Sequence, residues 1–325
     1  SKYDPKVLYD PEEDRFVICY LAGRTDSTSA IIFAFSSTSD PLDEWNFYEI
    51  PGNPLNDVSW SDFPMISLNS EELFFTINLL YNDSSWQGGF KQTVIWQMDK
   101  FDGYNGEDSL KAILHSDIEF EGRNLRNLNP VQGGANLSSS EKAYFLSNRN
   151  FSVATDSFFM VTIDGRISDA NRDVSVKYLK SDNDYGMPPE AEQTGIGSLQ
   201  TNDARVLCSY IEDNTIHFVG NTRSMLSNKA TIYHGIISNP DNASSLELYE
   251  LNDPLYEFGY SNIAYTGQSG SDQAIIVMNH SADTINPGIS AVYYENGEYS
   301  PVTLIKEGET FAIPFGVNRW GDYTG

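Results

Sequence analysis

The sequence predicts an all-β fold, a β-propeller of four-stranded blades, and three observations predict it. Apolar runs of strand length come in groups of four. The groups reopen roughly every 60–67 residues, somewhat longer than the commonest propeller repeats. Within each group the first run is small and rich in Gly, Ser or Pro, the middle two are apolar, and the last is polar. That gradient matches a blade, whose inner strand crowds an axis, whose middle strands are covered on both faces, and whose outer strand meets water.

The first group reads KVLYD, RFVICYL, AIIFAFS and WNFYEI, separated by DPEED, GRTDSTS and STSDPLDE. The separators hold Asp, Ser, Pro and Gly, which bend a chain locally. The second opens at SDFPMISLNSEELFFTINLL, continues through KQTVIWQMDK and closes near LKAILHSDIEF. The third runs from NPVQGGANL through KAYFLSNRN and SFFMVTIDG to SVKYLKS. The fourth runs from GIGSLQTNDARVLCSYI through TIHFVGNT and ATIYHGIIS to LELYELND. The fifth runs from YSNIAYTG through QAIIVMNHSA and GISAVYYENG to YSPVTLIKEG, and NRWGDYTG at residues 318–325 opens a further one. Six blades is the expected count, five complete and one closing, with seven the alternative. PPEAEQ, residues 188–193, is the nearest approach to a helix start and is too short. Paired β-sandwiches would show a linker near the middle, and a parallel β-helix a shorter, stricter repeat. Neither is present, so residues 1–325 are expected to be a single propeller domain, and a piece of a longer multidomain protein.

The 325 residues carry 46 acidic and 20 basic side chains, a formal charge of −26. A surface this negative repels nucleic acid and anionic membranes, suits solubility in salt, and attracts cations. No apolar run approaches the ~18 residues of a membrane span, and no signal peptide is visible. The two cysteines, Cys19 and Cys208, sit inside apolar runs and read as buried thiols, not as a disulfide framework.

The group openings carry the most distinctive side chains. SDFP places Asp62 before an aromatic, GDYT places Asp322 before one, and YDPK puts Asp4 near the same place. Aligned, three carboxylates would face one mouth of the channel. They would either cap turns through backbone N–H groups or supply hard oxygen ligands to calcium. SDNDYG and TIDGRISDANRD resemble calcium loops but lack the closing Glu, and read as hairpin turns. Asp boxes, S-x-D-x-G-x-T-W, are absent, as are a G-x-S-x-G elbow and a phosphate loop. Trp96, Arg123 and Arg126 are candidates to line a sugar groove. The four histidines, His115, His217, His234 and His280, are scattered and read as strand or turn residues.

With the groups laid out, the sequence resembles the large secreted or cell-surface β-propeller proteins of bacteria, many from Bacteroidetes and mostly of uncharacterised function. The stretches that carry the resemblance are DPKVLYDPEEDRFVI, SSTSDPLDEWNFYEI, WSDFPMISLNSEELFFTINL, MPPEAEQTGIGSLQTNDARVLCSYIEDNTIHFVGNT and RWGDYTG. It implies export and display at the extracellular or bacterial cell surface, with neighbouring domains or other surface proteins as partners. It implies no catalytic residues. The expected function is therefore a non-enzymatic binding or scaffold module for a glycan or protein, in adhesion or surface assembly. The alternative is a carbohydrate-active hydrolase with carboxylates at the channel mouth.

Overall fold

The structure is a computed structural model that describes residues 2–138 and 141–312. The chain is all-β, a β-propeller built of successive four-stranded antiparallel meanders as predicted. The opening at residues 318–325, with Asp322, lies outside the described residues.

The first meander is β1 (Lys2–Asp10), β2 (Arg15–Ala22), β3 (Ala30–Ser36) and β4 (Trp45–Pro51). The second is β5 (Ser59–Leu68), β6 (Glu72–Tyr81), β7 (Phe90–Asp99) and β8 (Ala112–His115), with helix α1 (Lys100–Asn105) between its last two strands. A hairpin, β9 (Glu119–Phe120) and β10 (Arg123–Asn124), follows. The third is β11 (Asn129–Pro130), β13 (Lys142–Asn148), β14 (Thr155–Asp164) and β15 (Asp173–Tyr185); the short β12 (Gln132–Gly133) follows β11 in the chain but pairs with none of these four. The fourth is β16 (Val206–Glu212), β17 (Thr215–Arg223), β18 (Ala230–Ser238) and β19 (Ser245–Leu251). The fifth is β20 (Glu257–Tyr265), β21 (Gln273–Ala282), β22 (Ile285–Glu295) and β23 (Glu298–Tyr299), with β24 (Thr303–Lys306) also pairing β22.

The residues divide into two compact units, 1–147 with 159–177, and 148–158 with 178–325. In the first unit, β6 is buried along nearly its whole length while β4 alternates with solvent. Both faces of a middle strand are covered, so its sequence, ELFFTINLLY, is apolar without alternation. Its core gathers Val17, Leu21, Phe33, Phe75, Ile77 and Met98, with the rings of Phe33 and Phe75 edge to face at 5.0 Å. In the second unit β18 is buried from Ala230 to Ile237, and Val219, Ile232, Phe258, Ile276 and Tyr294 form the core beside it.

Helix α1 falls at DKFDGYN, not at PPEAEQ. Asp99 caps it by accepting the Phe101 N–H at 3.0 Å, and Gly106 ends it at φ 68°, where a Cβ would be strained. Its Lys100 is fully buried and pairs with the buried Asp10 at 2.7 Å. Asp10 also accepts the Tyr104 hydroxyl at 2.9 Å and the Glu12 and Glu13 N–H groups.

The inner strands share a device that corrects the predicted alignment. β1 bulges between Tyr3 and Lys6, β5 between Asp62 and Met65, and β20 between Gly259 and Asn262. Each bulge holds one residue in the left-handed region: Asp4 at φ 52°, Phe63 at 55° and Tyr260 at 52°. Asp4 therefore occupies the position of the aromatic Phe63, one residue beyond that of Asp62, so the two carboxylates are not equivalent. Asn127 (φ 55°) and Asn202 (φ 62°) take the same conformation ahead of β11 and β16.

Candidate functional site

A cavity of about 930 Å³ lies within the second unit. One wall is the C-terminal stretch of β15, where Asp182, Asn183 and Asp184 are exposed and Tyr185 is buried. This is SDNDYG, expected as a hairpin turn. It is instead strand, because Lys180 and Ser181 pair in parallel with Ser245 and Leu246 of β19 and hold the chain extended. The Asp182 carboxylate accepts the Leu248 N–H at 2.8 Å, and the Asn183 amide donates to the Leu248 carbonyl at 2.9 Å.

Four tyrosines face the cavity, Tyr185, Tyr233, Tyr249 and Tyr299. Tyr185 donates to the Ser157 carbonyl at 2.6 Å and Tyr233 to that of Ala204 at 3.1 Å, so these two offer rings more than hydroxyls. Tyr249 donates to Glu247 at 2.5 Å, a bond that raises its phenol to about 12. Glu250 completes the acidic wall. One of its carboxylate oxygens accepts the Met225 N–H at 3.2 Å, and the other is buried without a partner. Among the described residues no Lys, Arg or His lines the cavity.

Behind Tyr299 runs a chain of polar groups, buried at its two histidines and exposed at Asp272. Its hydroxyl lies 2.7 Å from Nδ1 of His234, Nε2 of His234 lies 3.1 Å from Nδ1 of His217, and Nε2 of His217 lies 3.2 Å from Asp272. Tyr294 donates to the other oxygen of Asp272 at 3.0 Å. Burial lowers His217 to about 4 against the opposing pull of Asp272, and burial followed by the neighbouring His217 lowers His234 well below its ordinary value. Both imidazoles are therefore neutral at pH 7, and the contact of His217 with Asp272 is a hydrogen bond, not an ion pair. Asp272 and His217 open onto a second cavity of about 380 Å³.

The two histidines were expected to be isolated. In the β17–β18 register His217 lies opposite Ile236, and His234 opposite Val219. They are thus diagonal neighbours on one face, two residues out of direct opposition. The readable signal was a pair of histidines in the two arms of one hairpin, NTIHFVGN and ATIYHGII. Asp272 and Tyr299 carried no such signal, since both come from the following meander.

The sequence-predicted candidates lie elsewhere, and none of Trp96, Arg123 and Arg126 lines this cavity. Trp96 packs against the core of the first unit with its indole N–H buried and unpartnered. Arg123 is exposed on β10. Arg126 stacks over Phe90 at 4.7 Å and donates to the carbonyls of Trp86 and Gln87, so it pins the β6–β7 loop. Asp4 and Asp62 both raise the Tyr3 phenol, after its burial, and so share its surroundings, with Arg24 over the ring at 4.7 Å. Among the described residues no group of three His, Cys, Asp or Glu is placed to hold a metal. Neither Cys19 nor Cys208 is in a disulfide; Cys19 is buried as expected and Cys208 is half-buried.

No protein-family model matches the sequence, and no curated protein matches it. Among solved structures the chain is similar to Trypanosoma rangeli sialidase in complex with sialic acid, at 10% identity over 94% of this chain and 54% of that one, with a TM-score of 0.36. It is similar to the parainfluenza virus 5 hemagglutinin-neuraminidase at 10% identity, over 96% and 80% of the two chains, TM-score 0.46. A third is from the GH130 family of mannoside phosphorylases, which contains glycoside hydrolases that target β-1,2 mannosidic linkages in Candida mannan (10% identity, 94% and 87% covered, TM-score 0.45). The chain spans about half the length of the trypanosomal sialidase. Identities of this order transfer no residue's role to this chain.

Proposed function

We propose that the protein is carbohydrate-active and that the cavity of the second unit seats a neutral or amino sugar. The observation that carries this reading is the lining: tyrosine rings beside Asp182, Asn183, Asp184 and Glu250, with no cationic side chain among the described residues. Aromatic faces cover the apolar faces of a pyranose, while carboxylates and amides accept from its hydroxyls. An acidic sugar would need a cation to offset its charge, and the wall offers repulsion instead. Glu250 is the carboxylate best placed for acid–base work, because its second oxygen is buried without a donor.

A non-enzymatic surface module remains the second reading, with export and surface display as its setting. What favours it is that Asp182 and the other Glu250 oxygen are already committed to backbone N–H groups. Both readings are tested by a glycan array followed by product analysis. Binding of neutral or glucosamine-type oligosaccharides is expected, with sialylated and uronate-bearing ones left unbound. Product release that Glu250→Gln abolishes while binding persists assigns hydrolysis, and binding without turnover assigns the module. Preference for anionic glycans would overturn the proposal.

A further inference from the structure

We propose that Asp272, acting through His217 and His234, fixes Tyr299 as a hydrogen-bond acceptor toward the cavity, so that Tyr299 takes a hydrogen bond from a hydroxyl of the bound sugar. The sugar rests on the preceding proposal. The polarity of the chain does not, because it follows from the four groups and their spacing.

A carboxylate only accepts, so the His217 nitrogen 3.2 Å from Asp272 must carry the proton. That nitrogen is Nε2. A neutral imidazole has one N–H, so Nδ1 of His217 is a lone pair and must be given a proton by Nε2 of His234 at 3.1 Å. Nδ1 of His234 is then also a lone pair, and the Tyr299 hydroxyl at 2.7 Å must donate to it. With its single proton turned away, Tyr299 offers only lone pairs to a ligand. The opposite polarity would set the His217 lone pair against the carboxylate. Protonating either ring to escape this is opposed by burial, since His234 is wholly inaccessible and His217 nearly so.

The ring contacts hold the geometry. Tyr210 stacks on His217 with centroids 5.1 Å apart and planes at 10°, and Tyr294 meets His234 edge-on at 4.9 Å. Tyr294 also donates to Asp272, which leaves that carboxylate less room to turn from His217. Asp272 and the two histidines are thus positioning residues, and Tyr299 is the contact.

The chain holds only four histidines, so a spectrum of protein labelled with ¹⁵N-histidine resolves the tautomers. At pH 7 His217 and His234 should both be protonated on Nε2 and bare on Nδ1. Protonation of either on Nδ1 would overturn the proposal, with no variant needed. Asp272→Ala removes the acceptor and should let the two tautomers mix, whereas unmixed Nε2 protonation in that variant also sinks it. For the contact itself, wild-type protein is titrated with maltose, cellobiose and chitobiose. Tyr299→Phe should weaken the tightest of them roughly three- to tenfold, the worth of one neutral hydrogen bond, and unchanged affinity would remove Tyr299 from the site. If none of the three binds while the tautomers are as stated, the sugar reading fails and the relay stands.

Discussion

The burial of His217 and His234 makes stability depend on pH in a definite direction. His217 moves from an ordinary 6.5 to about 4 in the fold. Between those values the unfolded chain binds a proton that the folded chain refuses, so stability falls as pH falls from 6.5 toward 4. At 1.36 kcal/mol per unit, His217 alone accounts for roughly 3 kcal/mol of that loss. The groups around it are Asp272, His234, Tyr210 and Tyr294. Urea melts at pH 7 and pH 5 should show the drop, and His217→Gln should flatten it; equal slopes in both proteins would discount the histidine. A second residue-scale case is the ion pair Lys100–Asp10, buried on both sides in the first unit. Lys100→Met leaves a buried carboxylate without its counter-charge and should cost about 3–5 kcal/mol by the same melts. The sequence concealed this pair, because 90 residues separate its members. Lys100 reads there as an ordinary polar residue at a strand end.

The meanders were legible as elements because their physics is local. A middle strand covered on both faces must be apolar throughout, as ELFFTINLLY and ATIYHGIIS are. The bulges were half legible. The aromatic of SDFP was visible, but its left-handed conformation was not, and the aspartates were aligned in its place. In three meanders an asparagine near the end of the second strand reaches the opening of the next one, and in one of them, at Tyr260, it meets the bulge itself. Asn78 accepts the Asn127 N–H at 3.1 Å, and Asn221 accepts the Tyr260 N–H at 2.7 Å while donating to the Thr201 carbonyl at 2.7 Å. Asn148 donates likewise to the Ala204 carbonyl at 2.7 Å. The spacing repeats in INLL, LSNRN and VGNT, a signal in the sequence that apolar periodicity does not register. Asn221→Ala would remove the acceptor that the N–H of a strained, buried tyrosine uses. It should cost about 1–3 kcal/mol in thermal or urea melts, whereas Thr215→Ala at the half-buried start of the same strand should stay within about 0.5 kcal/mol.

At the scale of the whole molecule the dominant quantity is the charge of −26. Like charges crowd together when the chain folds, so the folded state carries the larger self-repulsion. Salt screens it, with a Debye length that shrinks from about 30 Å at 0.01 M to about 10 Å at 0.1 M. The melting temperature should therefore rise with sodium chloride across that range. The same charge makes any divalent cation look stabilising, so calcium must be compared with magnesium at matched ionic strength. Asp4 and Asp62 sit one position apart in the repeat, and no third acidic, His or Cys ligand joins them among the described residues. Calcium and magnesium should then raise the melting temperature equally. An excess from calcium that Asp62→Asn abolishes would instead establish a specific calcium site at Asp62.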